Sequence, residues 1–413
     1  MKIIYLFDGT ILSRESGSAV HVRSMVSAFK ERGHQITVFD TFSGRIIPNN
    51  EVLNEDYNYK AKHFVIFIFL FWMTQKEARF YPNASTYLLQ IERIVNYWFS
   101  AIVLKRLLAR DKVDFIYERE EIYGNVGTIM KKELGIPFVL EINTPLISAI
   151  KWYHLRAFTN IVDKREKKML QFADYIVVAS EGLRTYLIQD RGIKAQKIEV
   201  TLNGVDFKLF NEIEREETEL LRCKYHLQDS LVIGFVGCLW EPILDFDTLF
   251  KAFAMLKSIN KERSIKFLII GTAKGREKIQ NMIDRLSLSK EVIFTDYVKH
   301  CNIPEYLALI DISVVSYYRN LANISVASMK VIEYMAAKKA IVASNVPDLD
   351  KILHNGVSAI LVEPGDVIGL RDAMDILVKD KNLREQLGNK AHIKSREFTW
   401  VNNVKKIEKI FNL

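Results

Sequence analysis

Short apolar runs alternate along this chain with longer stretches in which apolar residues recur every third or fourth position. That alternation predicts parallel strands joined by crossover helices, a doubly wound α/β architecture. In the first half the predicted strands are KIIYLF, QITVF, DFIYE, FVLEIN and YIVVAS. Between the first two lies AVHVRSMVSAFKERGH, where Val22, Val26 and Phe29 fall on one helical face and Gly33 supplies a C-cap, completing a βαβ unit. The second half repeats the scheme with LVIGFVG, KFLIIG, EVIFTDYV, ISVVSY, KAIVAS and AILVE, separated by patterns such as TLFKAFAMLKSI and EKIQNMIDRL. The pattern breaks at LNGVDFKLF, Leu202 to Phe210, and the charged EIEREETEL follows it. A linker is therefore expected there, dividing the chain into domains over 1–202 and from 203 onward.

Open α/β sheets bind ligands beyond the carboxyl ends of their strands, so a cleft between two such halves is the expected site. The run SMKVIEYMAAKKAIVASNVPDLDKIL, Ser328 to Leu353, reads as a short helix followed by a buried strand. Lys330 and Glu333, three positions apart, project from one side of that helix. A helix start with free N–H donors, a cation and an acid suits an anionic, hydroxyl-rich ligand such as a nucleotide sugar.

Composition narrows the picture further. With 413 residues, 49% of them hydrophobic, the chain has more apolar material than one ordinary core holds, and two globular domains are expected. Cys223, Cys238 and Cys301 are widely spaced and lack the spacing of a zinc or redox site, which predicts a reduced, cytoplasmic chain. No His and carboxylate cluster at ligand spacing predicts a metal. Met1 runs directly into an apolar strand, without the pattern of a signal peptide. The run FVIFIFLFWM, Phe64 to Met73, is about half of the roughly 20 residues a membrane-spanning helix needs. The net charge of +8 lies mostly in the first half, where 28 Lys and Arg face 22 Asp and Glu; from 203 onward the figures are 30 and 28. This basic, aromatic-rich half could touch an anionic membrane surface peripherally, although on charge alone a solvated basic face over an ordinary core is the favoured explanation; no nucleic-acid partner is expected.

The segment YYRNLANISVASMKVIEYMAAKKAIVASNVPDLDKILHNGVSAILVEPGD resembles the donor-binding region of family-4 retaining glycosyltransferases, which have the GT-B fold of two Rossmann-like domains. The likeness is greatest to members reading S-P-L-K-L-x-E-Y-M-A. GSAVHV, DFIYERE, GIPFVLEINTPL, ADYIVVASEGLRTYLI, KIEVTLNGVDFKLF and the terminal FTW helix resemble further family segments in the same order. The resemblance implies that Glu333 accepts hydrogen bonds from the ribose hydroxyls and that Lys330 offsets diphosphate charge. Ser328 and the N–H groups of Met329 and Lys330 would begin the phosphate-binding helix, with Arg319 in the loop before it. Val298 would offer its backbone to the base, and Gly17 and Ser18 would face the diphosphate from the first domain. It also implies an acceptor-binding domain over 1–202, a nucleotide-sugar domain over 203–397, and a last helix around Phe398 to Phe411 that crosses back to the first.

The departures are as informative. An E-x7-E signature would place an acid at Ser325, and the Arg and Lys of a G-R-L-x-x-x-x-K-G loop fall on Cys238 and Leu244. Two charge-assisted phosphate contacts, each worth roughly 1.5–3 kcal/mol, are thereby lost. Asp296 stands where the family often has glycine. The family's strand-end histidine falls on Asn143, which can bond sugar hydroxyls but cannot act as a base. Glu141 shares the side of the strand with Asn143, and Glu118 and Arg119 end DFIYERE. His21 is a further acceptor-side candidate. Asn143, Glu141 and Lys330 are the residues on which catalysis is expected to rest.

The function these features imply is retaining transfer of a hexose-type sugar from a nucleoside diphosphate donor to a glycan, lipid-linked or small-molecule acceptor, without metal or other cofactor. Two other readings compete with it. One is a degenerate module that binds nucleotide sugar or a partner glycosyltransferase without turnover. The other is a glycosidase using Glu118 and Glu141 as paired acids.

Overall fold

The computed structural model describes residues 1–13, 17–54, 84–152, 158–211, 215–239, 243–271, 275–319 and 329–411. The run from Phe64 to Met73, Ser325 and Ser328 lie outside them. The chain divides into two compact units, Met1–Leu202 with Asn403–Leu413, and Asn203–Asn402.

The first unit is built on β1 Lys2–Phe7, β2 Gln35–Asp40, β3 Arg45–Ile47, β4 Phe115–Arg119, β5 Phe138–Ile142, β6 Tyr175–Val178 and β7 Ile198–Val200. They form one sheet in the order β3-β2-β1-β4-β5-β6-β7, parallel except for the β2–β3 pair. The first crossover helix, Gly17–Glu31, buries Ala19, Val22, Met25, Val26 and Phe29. It ends as the sequence predicts: Gly33 takes φ 81°, and His34 N–H closes the turn on the Phe29 carbonyl at 3.1 Å. Beneath the carboxyl end of the sheet, the rings of Tyr5 and Tyr117 stack at 5.2 Å, and Phe29 meets Tyr117 edge-on at 5.6 Å.

The second unit carries β8 Leu231–Val236, β9 Ile265–Ile270, β10 Val292–Phe294, β11 Ile312–Val315, β12 Ala340–Ser344 and β13 Ile360–Val362. All pairs are parallel, in the order β10-β9-β8-β11-β12-β13. The helix Phe246–Ile259 starts where the Asp245 carboxylate accepts the Thr248 N–H at 3.0 Å, and it buries Phe250 and Phe253 against Phe267. In both sheets the strand order reverses beside the first strand, between β1 and β4 and between β8 and β11. These reversals are where doubly wound sheets open a crevice at their carboxyl ends.

The last helix, Trp400–Ile410, begins in the second unit and ends in the first. Glu408 accepts from Arg32 Nε and Nη2 at 3.0 and 2.9 Å, and it lies 2.8 Å from His34 Nε2. Phe411 stacks on Phe115 with 4.5 Å between centroids. No described helix is long and apolar enough to cross a membrane.

Candidate functional site

In the second unit the strand ends are shaped by two glycines. Gly237 follows β8 with φ 141° and Gly271 follows β9 with φ 150°. A Cβ on Gly271 would lie 2.1 Å from the Gly237 carbonyl oxygen, so the two backbones pack with no room for a side chain. Above them the helix Met329–Ala336 is held by Tyr334, fully buried, whose hydroxyl accepts the Val236 N–H at 2.8 Å. That anchor fixes the helix start over the end of β8. Lys330 Nζ sits 5.2 Å from the centre of the Phe235 ring, and a Cβ on Gly237 would lie 3.2 Å from it. An ammonium is thus held at the second sheet's switch point, with the N–H groups of Met329 and Lys330 in the first turn of an eight-residue helix.

Glu333, one turn on, is not an exposed acid beside a lysine. Its side chain is 8% exposed, and its Oε1 lies 2.7 Å from Nε2 of His300, a residue the sequence did not single out. The only hint in the sequence is that His300 falls two positions after Val298; nothing local ties it to Glu333. Val298 is half-buried in the stretch after β10. Asp296 stands there with φ 60°, the left-handed backbone a glycine would take, and its carboxylate meets Arg276 at 2.5 Å. Arg319 is exposed and ion-paired with Glu363. Leu244, in place of a cation, is buried and bridges Tyr317, while Cys238 is half-buried.

In the first unit the switch-point residues gather around Glu141. Register pairs Arg119 with Glu141 on adjacent strands, so both side chains share one face. Glu141 Oε1 accepts from Arg119 Nη1 at 2.9 Å and from Asn143 Nδ2, and it lies 2.8 Å from His21 Nε2. Arg119 Nη2 reaches Ser18 Oγ at 3.5 Å, and the exposed Gly17 opens the helix that carries Ser18 and His21. Burial pushes the Glu141 carboxyl up, but His21, Arg119 and the Asn143 amide more than offset it and hold the group well below the usual carboxylate range. Glu141 is therefore an ionised hub that orients a cation, an imidazole and an amide.

Glu118, expected with Arg119 on the acceptor side, does not join this group. Strand alternation turns it to the opposite face, where its Oε2 accepts the Gly127 N–H at 2.9 Å. A Cβ on Gly127 would lie 2.6 Å from that oxygen. Burial pushes the Glu118 pKa up to about 7, with the N–H groups of Gly127 and Val126 pulling it back. With Glu118 and Glu141 on opposite faces of the sheet, they cannot flank one glycosidic bond, which removes the geometric basis of the glycosidase reading.

Two open depressions, of about 620 and 570 Å³, lie away from these strand ends. The first is lined by Pro137, Asp174 and Tyr175 at the amino ends of β5 and β6; the second is lined by Trp98, Ile102 and Lys105. No group of three or more His, Cys, Asp or Glu among the described residues could hold a metal ion.

Residues 16–209 match the family described as Glycosyltransferase Family 4, and residues 224–394 match Glycosyl transferases group 1. The capsular polysaccharide biosynthesis glycosyltransferase CapM of Staphylococcus aureus is 24% identical over 76% of this chain and 81% of its own length. A D-inositol 3-phosphate glycosyltransferase of Corynebacterium diphtheriae is 24% identical, over 73% of this chain and 70% of its own. Among solved structures, Anabaena Alr3699/HepE in complex with UDP and glucose superposes with a TM-score of 0.71 at 17% identity, covering 100% of this chain and 99% of its own. That likeness shows the fold, GT-B.

Proposed function

We propose, from the match of its two halves to glycosyltransferase families, that the chain is a family-4 glycosyltransferase and transfers a hexose-type sugar, with retention, from a nucleoside diphosphate donor. The observation that carries the reading is Lys330 at the β8 switch point, one helical turn from the buried carboxylate of Glu333. Lys330 and the first N–H groups of its helix meet the diphosphate, and Glu333 meets the ribose diol. Val298 offers backbone to the base. Arg319 reaches a phosphate only by exchanging Glu363 for it.

The acceptor belongs to the first unit, where Asn143, His21 and Arg119 are oriented by Glu141 and can bond sugar hydroxyls; Gly17 and Ser18 supply the helix start beside them. Front-side transfer suits this set. No residue has to act as nucleophile, because the leaving diphosphate can take the acceptor proton, and the protein contributes orientation and charge stabilisation. No metal is required for this route. The name of the Staphylococcus relative, a capsular polysaccharide biosynthesis glycosyltransferase, supports a glycan acceptor, and the UDP and glucose held by HepE support a nucleoside diphosphate donor.

Glu333→Ala is expected to weaken nucleoside diphosphate binding by about tenfold or more, as loss of a charge-assisted bond to a diol implies. Lys330→Ala is expected to lower kcat as well as affinity, since charge grows on the leaving diphosphate. Calorimetry with a panel of nucleotide sugars, paired with product detection, checks both, and unchanged constants in the two variants would remove the assignment. The buried Leu244 and half-buried Cys238 favour a second reading, a binding module without turnover. Tight nucleotide-sugar binding with no transfer to any acceptor would establish it.

A further inference from the structure

The Glu333 carboxylate has a partner within its own unit. Its Oε1 is 2.7 Å from His300 Nε2, and the two residues lie 33 positions apart in the chain. They come from separate elements: Glu333 from the helix Met329–Ala336, His300 from the single turn His300–Asn302 that follows the Val298 stretch. Both are withdrawn from solvent, with side chains 8% and 23% exposed. A carboxylate has two oxygens and about four lone-pair sites, so an imidazole N–H on Oε1 leaves Oε2 able to accept two hydroxyls. It also removes rotation about the last side-chain bond, and a group locked by a neighbour's hydrogen bond binds without the ordering cost a loose one carries.

We propose that His300 is a positioning residue for Glu333: by holding Oε1 through Nε2, it presents Oε2 to the vicinal diol of a nucleoside diphosphate's ribose. Preference for ribose over a deoxygenated sugar then depends on the imidazole, although the imidazole itself touches no ribose oxygen. The inference rests on the donor reading of Glu333, and the two can fail separately. The proton must be on Nε2, which fixes the tautomer of His300 in the binding-competent protein.

The test compares dissociation constants, by calorimetry, for whichever of UDP, GDP, CDP and ADP raises the Tm of the full-length protein most, and for its 2′,3′-dideoxy counterpart. Wild type, Glu333→Ala, His300→Ala and His300→Gln are measured together. Glu333→Ala should bind both nucleotides alike. His300→Ala should cut the ribose preference by about tenfold while leaving the dideoxy constant within about twofold. His300→Gln, whose amide can donate to the same oxygen, should recover part of the preference. A full preference in His300→Ala alongside its loss in Glu333→Ala overturns the positioning role and leaves the donor reading intact. Equal weakening of both nucleotides in His300→Ala reduces His300 to a structural part and also overturns it. A full preference in Glu333→Ala withdraws the donor reading and the inference together.

Discussion

Two glutamates near the ends of neighbouring strands illustrate how environment decides charge. Glu141 faces a cation, an imidazole and an amide and is ionised; Glu118, on the other face, meets two backbone N–H groups, and burial pushes its pKa up to about 7. Below pH 4.5 Glu118 is protonated in both folded and unfolded chains. Between its ordinary 4.5 and about 7 the unfolded chain releases the proton while the folded chain keeps it, so stability falls through that window and is level above it. The full effect is on the order of 3 kcal/mol. Glu118→Gln abolishes the titration, so urea unfolding at pH 5 and pH 8 should show the variant gaining about 2–3 kcal/mol on wild type between the two. A difference independent of pH would mean that Glu118 ionises normally. At this scale the placing of Lys330 and Glu333 on one helical face was legible from their spacing, while the donor role expected of them came from the resemblance of the flanking run. His300 was not, because its partner comes from a distant element and contact between them exists only after the sheet has formed. Asp296 shows the converse: its φ of 60° keeps the backbone of a glycine, so the sequence changes while the turn survives.

At the scale of elements, the strands buried on both faces were legible as apolar runs, and the helices as three- and four-residue periods. The edges were less so. β3, with three residues and Ile46 48% exposed, carries no alternation to read, and β7 is equally short with Glu199 in its middle. β10 stops at Phe294, before the full EVIFTDYV run, because Asp296 turns the chain. The glycines ending β8 and β9 belong to this scale too. They were part of the predicted strands, but only folding shows that one backbone rests on the other. Gly271→Ala would drive a methyl into the Gly237 carbonyl and require a backbone angle that alanine resists, at a cost of about 3 kcal/mol. Denaturant titration should register that loss, and nucleoside diphosphate affinity should fall with it, because Gly237 supports Lys330. Gly356→Ala, also at positive φ but with nothing within 4 Å, should cost only the backbone share, about 1 kcal/mol.

At the scale of the molecule, each unit has its own sheet and core, which composition and length had implied. The segment that belongs to one unit while following the other in the chain is Asn403–Leu413. It is fastened to the first sheet by the Phe411 stack on Phe115 and by the ion cluster of Glu408 with Arg32 and His34. Phe411→Ala, removing a half-buried ring, should lower the stability of the first unit by about 1–2 kcal/mol and leave that of the second unchanged. Hydrogen exchange, read separately for the two sheets, would show the selective loss. Equal loss in both would mean that the segment stabilises the chain as a whole.

That fastening also sets an order of events during synthesis. Arg32 and Glu408 are 376 positions apart, so the earliest crossover helix leaves the ribosome long before the strand of chain that completes its surroundings is made. The first unit must wait, nearly finished and with the Phe115 face uncovered, while the whole second unit is translated and folds. A chaperone that shelters exposed aromatic surface has its longest opportunity in that interval, and a premature stop codon before the final helix would leave the nascent protein in that unfinished form.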